Sequence, residues 1–189
     1  MKKGLITVIV IVAVIAVLIG SLVGTYNGLV SAQGQVEAAQ SNIQVQLQRR
    51  ADLIPNFVAT VKGYSDYEQS TYTAVTEART KVAGANTPGE LANAEQQLNG
   101  AIDIWVNAVT EAYPDLKANQ NYIALQDELA GTENRIAKAR NDYNEKATAY
   151  NVAIRKFPKN IIASMFGFEK TDLFTADDSA NSVPQVSFE

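Results

Sequence analysis

The sequence contains neither cysteine nor histidine among its 189 residues. Without cysteine the chain has no disulfide, no thiolate metal ligand and no cysteine nucleophile. Without histidine it lacks imidazole metal ligands, the Ser-His pair and the Glu-x-x-His motif of di-iron bundles. No nucleophile–base pair is visible among the other residue types. We therefore expect that the protein is not an enzyme and that it has no catalytic residues, no metal site and no cofactor.

Positive charge is also scarce, because 16 Lys and Arg stand against 20 Asp and Glu and the formal net charge is -4. Nucleic-acid binding needs a basic face, and an acidic chain has no general attraction to anionic lipid. We therefore expect no nucleic-acid partner.

Charge is absent altogether from residues 5–24, which consist mainly of Ile, Val, Leu and Ala. A helix of about 20 such residues spans a hydrocarbon core of about 30 Å, and Tyr26 follows where an interfacial aromatic would lie. This pattern predicts a single-span transmembrane anchor over residues 1–25. A cleaved signal peptide is the alternative, but the run exceeds a usual signal core and the cleavage pattern at residues 30–32 lies far beyond it.

Lys2 and Lys3 precede the apolar run. Under the positive-inside rule they stay in the cytoplasm. On this basis we expect a cell-membrane protein whose folded domain lies outside the cytoplasm.

From the anchor to residue 156 the apolar residues follow helical spacing. The clearest series repeats every seven residues, a spacing that is typical of seams between packed helices. Its members are Tyr122, Leu129, Ile136, Tyr143, Tyr150 and Phe157. We predict an all-α fold, in which the transmembrane helix is followed by an antiparallel up-and-down four-helix bundle within residues 26–168.

Prolines divide this region, because proline disfavours helix at the preceding residue and suits a first helical turn. Thr87 is a predicted N-cap before Pro88. The predicted helices span residues 25–53, 55–84, 88–112 and 115–156. At Pro55 the alternative is a kink within one very long helix. We favour a turn, because a continuous helix to residue 84 would leave too few partners for its apolar stripe.

This topology places the turns near Pro55 and Pro114 at the end far from the membrane, and it returns residues 157–168 to the membrane. That segment either closes the bundle or lies in the membrane interface. The candidate membrane-interface contacts are Phe157, Ile161, Ile162, Met165, Phe166 and Phe168. The acidic, polar residues 169–189 are predicted to be a disordered tail.

Several segments resemble the LemA family. They are residues 47–56 (LQRRADLIPN), 61–64 (VKGY), 111–118 (EAYPDLKA) and 132–136 (TENRI), with Tyr143-Asn144, Tyr150-Asn151, Phe157-Pro158 and Gly167-Phe168. The resemblance implies an N-terminally anchored bacterial envelope protein with a helical bundle, and it implies no particular reaction. It also implies a short N-terminus outside the cell. Because this opposes the prediction from Lys2 and Lys3, the side of the membrane occupied by the bundle stays open.

Charged residues occupy several seam positions. They are Arg50, Glu68, Glu95, Glu133 and Arg140. A buried charge must be paired, since an isolated one costs several kcal/mol. We predict an internal ion-pair layer in which Glu68 and Glu133 pair with Arg79, Arg140 or both. The alternatives are solvated positions at the seam flanks and a carboxylate metal site, which is less favoured because such bundle sites use histidine.

The two turns predicted at the far end also carry charged and aromatic residues. They are Arg49, Arg50 and Asp52 beside Pro55, and Tyr113, Asp115 and Lys117 around Pro114. One interpretation is that Asp52 and Asp115 cap helices. The other is a partner-docking surface. We expect a scaffold or protein-interaction module with an unknown protein partner. The alternative is a lipid-binding or membrane-shaping role, and homo-oligomer formation is left open.

Overall fold

The computed structural model describes the backbone of residues 2–61 and 68–175, and the side-chain surroundings of residues 4–56, 73–108 and 110–175. Every regular element in these ranges is a helix. In chain order they are α1 (Lys2–Val61), α2 (Glu68–Gly84), α3 (Pro88–Ala112), a 3-10 helix (Pro114–Ala118), α4 (Gln120–Ala153) and α5 (Lys159–Phe166). The predicted all-α fold, a long apolar N-terminal helix followed by a helical bundle, is confirmed.

Helix α1 continues through Pro55 to Val61, so the predicted break at this proline is wrong. Leu47, Ala51 and Ile54 are each 0% exposed and lie at helical spacing on one face. Burial of a large apolar side chain contributes about 1.5–3 kcal/mol, which offsets the roughly 3 kcal/mol cost of an internal proline. Burial of this apolar face therefore maintains the helix where local propensity favours a turn.

The chain divides into two compact units. The first unit comprises Met1–Gln46 and Arg135–Thr171, and it therefore holds most of α1, the second half of α4, and α5. The second unit comprises Leu47–Asn134 together with residues 172–189. Residues 176–189, the greater part of the predicted tail, lie outside the described residues.

In the first unit the core begins beyond the apolar run of α1. Leu29, Val36 and Ile43 lie seven residues apart on α1 and are at most 5% exposed. On α4 the buried series is Ile136, Ala139, Tyr143, Ala147 and Tyr150, and the buried Ile154 follows the end of the helix. Tyr26 contacts Phe166, beyond the end of α4, while the charge of Glu37 acts on Tyr150 within α4. The two helices therefore run antiparallel.

In the second unit α2 and α3 pack together across a short connection. Helix α3 is capped as predicted, because the Glu90 backbone N–H donates to Thr87 Oγ1 at 3.2 Å. In return, Glu90 Oε2 accepts the backbone N–H groups of Asn86 at 2.8 Å and Thr87 at 3.2 Å. This is a capping box that satisfies helix-end donors reciprocally. These hydrogen bonds, from Asn86 and then Thr87, lower the pKa of Glu90.

Helix α4 begins at Gln120, five residues after the start that was predicted from Pro114. Pro114 instead opens the 3-10 helix, which buries Leu116. The chain then enters α4 through Asn119, whose Oδ1 accepts the backbone N–H of Asn121 at 2.8 Å. The start of α4 therefore follows the cap by Asn119 rather than the position of Pro114.

Helix α5 ends at Gly167, which has the left-handed conformation at φ 73° and ψ 28°. The backbone N–H of Phe168 returns to the Ala163 carbonyl at 2.9 Å, as in a helix C-cap closed by glycine. This cap turns the chain after α5 and places residues 168–171 in the first unit.

Candidate functional site

The end of the apolar run contacts the segment that contains α5. The ring centroid of Tyr26 lies 4.8 Å from that of Phe166 and 5.7 Å from that of Phe168, with tilted and edge-on geometries. Such aromatic pairs contribute about 0.5–1.5 kcal/mol beyond the area that they bury. Tyr26 follows the apolar run directly, so these contacts hold the segment beside the point where α1 leaves that run.

Helix α5 presents one face to the core and another to the surroundings. Ile162 and Ala163 are 4% and 3% exposed and belong to the core. In contrast, Ile161 is 53% and Met165 is 70% exposed, and Phe157, just before the helix, is 80% exposed. Closure of the bundle, one of the two alternatives for this segment, therefore applies to Ile162, while the membrane interface stays a prediction for the outward residues. Ile162 closes the first unit and is not available to a membrane, whereas the outward residues are.

Two ion pairs connect helices of the second unit. Arg50, which is 7% exposed on its α1 seam, donates from Nη1 to Glu133 Oε2 of α4. Arg79 Nη2 of α2 lies 3.0 Å from Asp52 Oδ1 of α1. Arg50 is thus a partner of Glu133, whereas the prediction named Arg79, Arg140 or both. Removal of the Glu133 carboxylate would leave a buried guanidinium without its partner.

Arg140 and Glu68 are the remaining members of the predicted ion-pair layer. Arg140 is half-buried on α4. Glu68 is the first residue of α2, and its side chain lies outside the described residues. Glu95, also on a predicted seam, is 3% exposed within α3.

The predicted docking residues all lie in the second unit, on two elements. On α1, Arg50 is turned inward and Asp52 is engaged by Arg79, so only Arg49 is exposed without a role in these pairs. Asp52 lies inside α1, and its predicted capping role is wrong.

Tyr113, just before the 3-10 helix, is half-buried, while Asp115 and Lys117 on that helix are exposed. Asp115 lies in the first turn of this helix, where a negative charge is favourable. The exposed charged set available to a partner is therefore Arg49, Asp115 and Lys117.

A hydrogen-bonded clamp that was not predicted holds the chain after α5. The Asn151 side chain, in a residue only 4% exposed, binds both backbone groups of Thr171. Its Nδ2 donates to the Thr171 carbonyl at 2.8 Å, and its Oδ1 accepts the Thr171 N–H at 3.0 Å. Tyr143 Oη lies 3.2 Å from Thr171 Oγ1. Thr171 is thus part of the folded first unit, although it was assigned to the disordered tail.

Beside this clamp lies an open cleft of about 310 Å³ between α1, α4 and the segment after α5. It is lined by Gln33, Glu37, Gln40, Tyr150 and residues 167–171, together with Val36. Burial raises the pKa of the Tyr150 hydroxyl, and the negative charges of Glu169 and Glu37 raise it further. Within the described part of the chain, no three acidic side chains come together as a metal cluster.

The chain thus combines one helix that is long and apolar enough to cross a membrane with a helical bundle that begins on the same helix. This architecture defines a class: helical proteins with a candidate N-terminal membrane anchor. Residues 39–188 match the model of the LemA family, and the chain belongs to this family, as the sequence motifs indicated.

Curated relatives agree with this assignment. Magnetosome protein MamQ 2 of Paramagnetospirillum magneticum is 30% identical over 196 residues, covering 89% of this chain and 72% of the relative. Magnetosome protein MamQ of Magnetospirillum gryphiswaldense is 27% identical with the same coverage. Protein LemA of Metamycoplasma hominis is 29% identical over 160 residues, covering 82% of this chain and 71% of the relative. None of these names states a reaction.

Proposed function

We propose that this protein is a single-span membrane protein whose helical domain is a scaffold or protein-interaction module of the bacterial envelope. The observation that carries the proposal is the continuity of α1, which extends unbroken from the apolar run into the core. A helix without a flexible joint keeps the bundle at a fixed height above the bilayer. Such a rigid support suits a protein that presents a surface to partners.

The surface that we propose for a protein partner is the exposed set Arg49, Asp115 and Lys117. Its mixed charge is complementary to a polar partner that carries the opposite charges at the facing positions, and exposed charges chiefly contribute to specificity and association rate. Arg50 and Asp52 support this surface from within, because their ion pairs hold α1 to α4 and to α2. We propose no reaction for the domain.

In-cell photocrosslinking tests this proposal. A photoreactive amino acid at Lys117 should give a discrete adduct with another protein. The same replacement at Lys138 is the matched control, because Lys138 is also an exposed lysine, with its side chain 75% exposed on α4. Equal adducts at both positions, or none at Lys117, would contradict a docking surface on the 3-10 helix.

A second candidate function is lipid binding or membrane shaping. It is favoured by the outward apolar residues Phe157, Ile161 and Met165, which are held near the end of the apolar run by the ring contacts of Tyr26. The full chain reconstituted at rising density should then reduce vesicle diameter in electron micrographs. A Phe157→Ser, Met165→Ser double variant should lose this effect, and an equal effect of both proteins would count against a shaping role for these residues.

A further inference from the structure

The connection between α4 and α5 concentrates positive charge in an acidic protein. Arg155, Lys156 and Lys159 fall within five residues and are all exposed. The nearest acidic residues along the chain are Glu145 before them and Glu169 after them. These three residues therefore form a local cluster of positive charge, called here the cationic turn, in a chain whose net charge is -4.

This turn adjoins the outward apolar face of α5. Phe157 lies between the cations, just before α5. Ile161 and Met165 are four residues apart within α5, which places these two on one side of the helix. All three are more than half exposed, while Ile162 and Ala163 fill the core on the opposite side. Cations beside a row of exposed apolar side chains are typical of helices that lie in the membrane interface.

The position of α5 relative to the apolar run also favours contact with the membrane interface. Phe166 at the end of α5 contacts Tyr26, and Tyr26 lies two residues beyond the run 5–24. An aromatic residue at this point of a spanning helix lies at headgroup level. Helix α5 is therefore held at the depth where lipid phosphates meet the acyl chains.

We propose that the cationic turn binds the phosphate groups of anionic phospholipids in the leaflet from which α1 emerges. Phe157, Ile161 and Met165 then enter the boundary of the acyl chains. This proposal rests on the lipid-binding candidate above and names the lipid chemistry of that site. Each cation near an anionic surface strengthens binding several-fold, and the effect falls with ionic strength. The contact fixes the rotation of the bundle about α1 as well as its height.

The cysteine-free chain allows a direct test by single-cysteine spin labelling of the full protein in nanodiscs. Met165→Cys reports the apolar face, and Asn160→Cys is the matched control on an exposed polar position of the same helix. The label at Met165 should be reached by membrane-dissolved oxygen and protected from a water-soluble nickel complex. The label at Asn160 should show the reverse preference.

The lipid charge is then varied between pure phosphatidylcholine and a mixture with 30% phosphatidylglycerol (about a third of the lipid, enough for a strongly negative surface). The oxygen-to-nickel accessibility ratio at Met165 should rise several-fold with the anionic lipid. Lys156→Gln with Lys159→Gln should abolish that rise. Lys138→Gln with Lys146→Gln, an equal change of charge on α4, should leave it intact.

The outcomes separate this proposal from the function on which it rests. The anionic-lipid proposal would be overturned if the Met165 label were equally deep in both lipids. It would also be overturned if the accessibility ratio still rose after the Lys156 and Lys159 changes. Either result would leave lipid contact itself supported. A Met165 label in water in both lipids would overturn the lipid contact itself. High salt should reduce the rise, and indifference to salt would also contradict phosphate binding.

Discussion

Two stretches of α1 contain the same types of residue in different surroundings. From Leu5 to Val23 the large apolar side chains are 49–72% exposed, whereas Leu29, Val36 and Ile43 are at most 5% exposed. The first stretch is apolar on all sides, whereas the buried apolar residues of the second recur at every seventh position. A stripe is covered by protein neighbours, but an all-round apolar surface needs lipid. The pattern of hydrophobicity, rather than its amount, distinguishes the candidate membrane anchor from the core.

The largest expected effect on stability comes from replacing one isoleucine in each of these two stretches of α1. Ile43→Ala should destabilise the domain by about 2–5 kcal/mol, because Ile43 is fully buried and its removal leaves a cavity. Ile9→Ala, at a position 59% exposed, should leave domain stability unchanged. Urea unfolding of the full chain in detergent, followed by circular dichroism, measures both. Equal losses would show that the two stretches do not differ as described.

A smaller loss of stability is expected from changing Glu133, the partner of the charged residue Arg50 on the buried face of α1. Glu133→Gln should lower the melting temperature and cost roughly 1–3 kcal/mol, less than for a fully buried pair because the Glu133 side chain is 51% exposed. Asp142→Asn removes the exposed pair with Lys138 and should cost about 0.5 kcal/mol or less. Thermal melts compare the variants, and an unchanged melt for Glu133→Gln would refute a stabilising pair with Arg50.

Loss of the clamp between Asn151 and Thr171 should have a more local effect on stability. Asn151→Ala removes two hydrogen bonds to Thr171 and should cost about 1–3 kcal/mol. Hydrogen exchange of the Thr171 amide should rise strongly, while exchange in α2 and α3 stays constant. Asn141→Ala, at an exposed position of the same helix, provides the control. Unchanged exchange at Thr171 would mean that Asn151 does not hold this segment.

The smallest effect concerns pH and the capping box of α3. The folded pKa of Glu90 is lowered, so its contribution is complete above the unfolded pKa of about 4.5 and is lost as pH falls through the lower folded pKa. Glu90→Gln should therefore lower stability at neutral pH and weaken the acid-induced loss below pH 4.5. Glu77→Gln, at an exposed position on α2, is the control. Parallel pH profiles for wild type and Glu90→Gln would contradict the cap.

Periodicity predicted the class of fold well, because it reports burial directly. Most of the predicted seam through Tyr143 is buried, and Thr87 caps α3 as its sequence context indicated. The prediction at Pro55 was wrong because the local preference of proline for a turn is outweighed by the buried face that precedes it. The helical spacing of Leu47, Ala51 and Ile54 favours the continuous helix.

The sequence pattern could not predict which residues pair with each other in the candidate sites. Arg50 and Glu133 are separated by 83 positions, and a seam position indicates that a charge is buried without indicating its partner. The clamp between Asn151 and Thr171 spans 20 positions and joins a helix to an extended segment. Periodicity carries no information on such contacts. The signal available was an asparagine on the buried side of α4, next to Tyr150 of the seam.

The most direct test of the central claim compares Val14 with Val45 on α1. The protein alone leaves these valines similarly exposed, at 53% and 46%. In membrane fragments open to both sides, a water-soluble maleimide should label Val45→Cys and spare Val14→Cys, and both should react after denaturation in detergent. Equal labelling without detergent would contradict an anchor that continues as one helix into the folded domain.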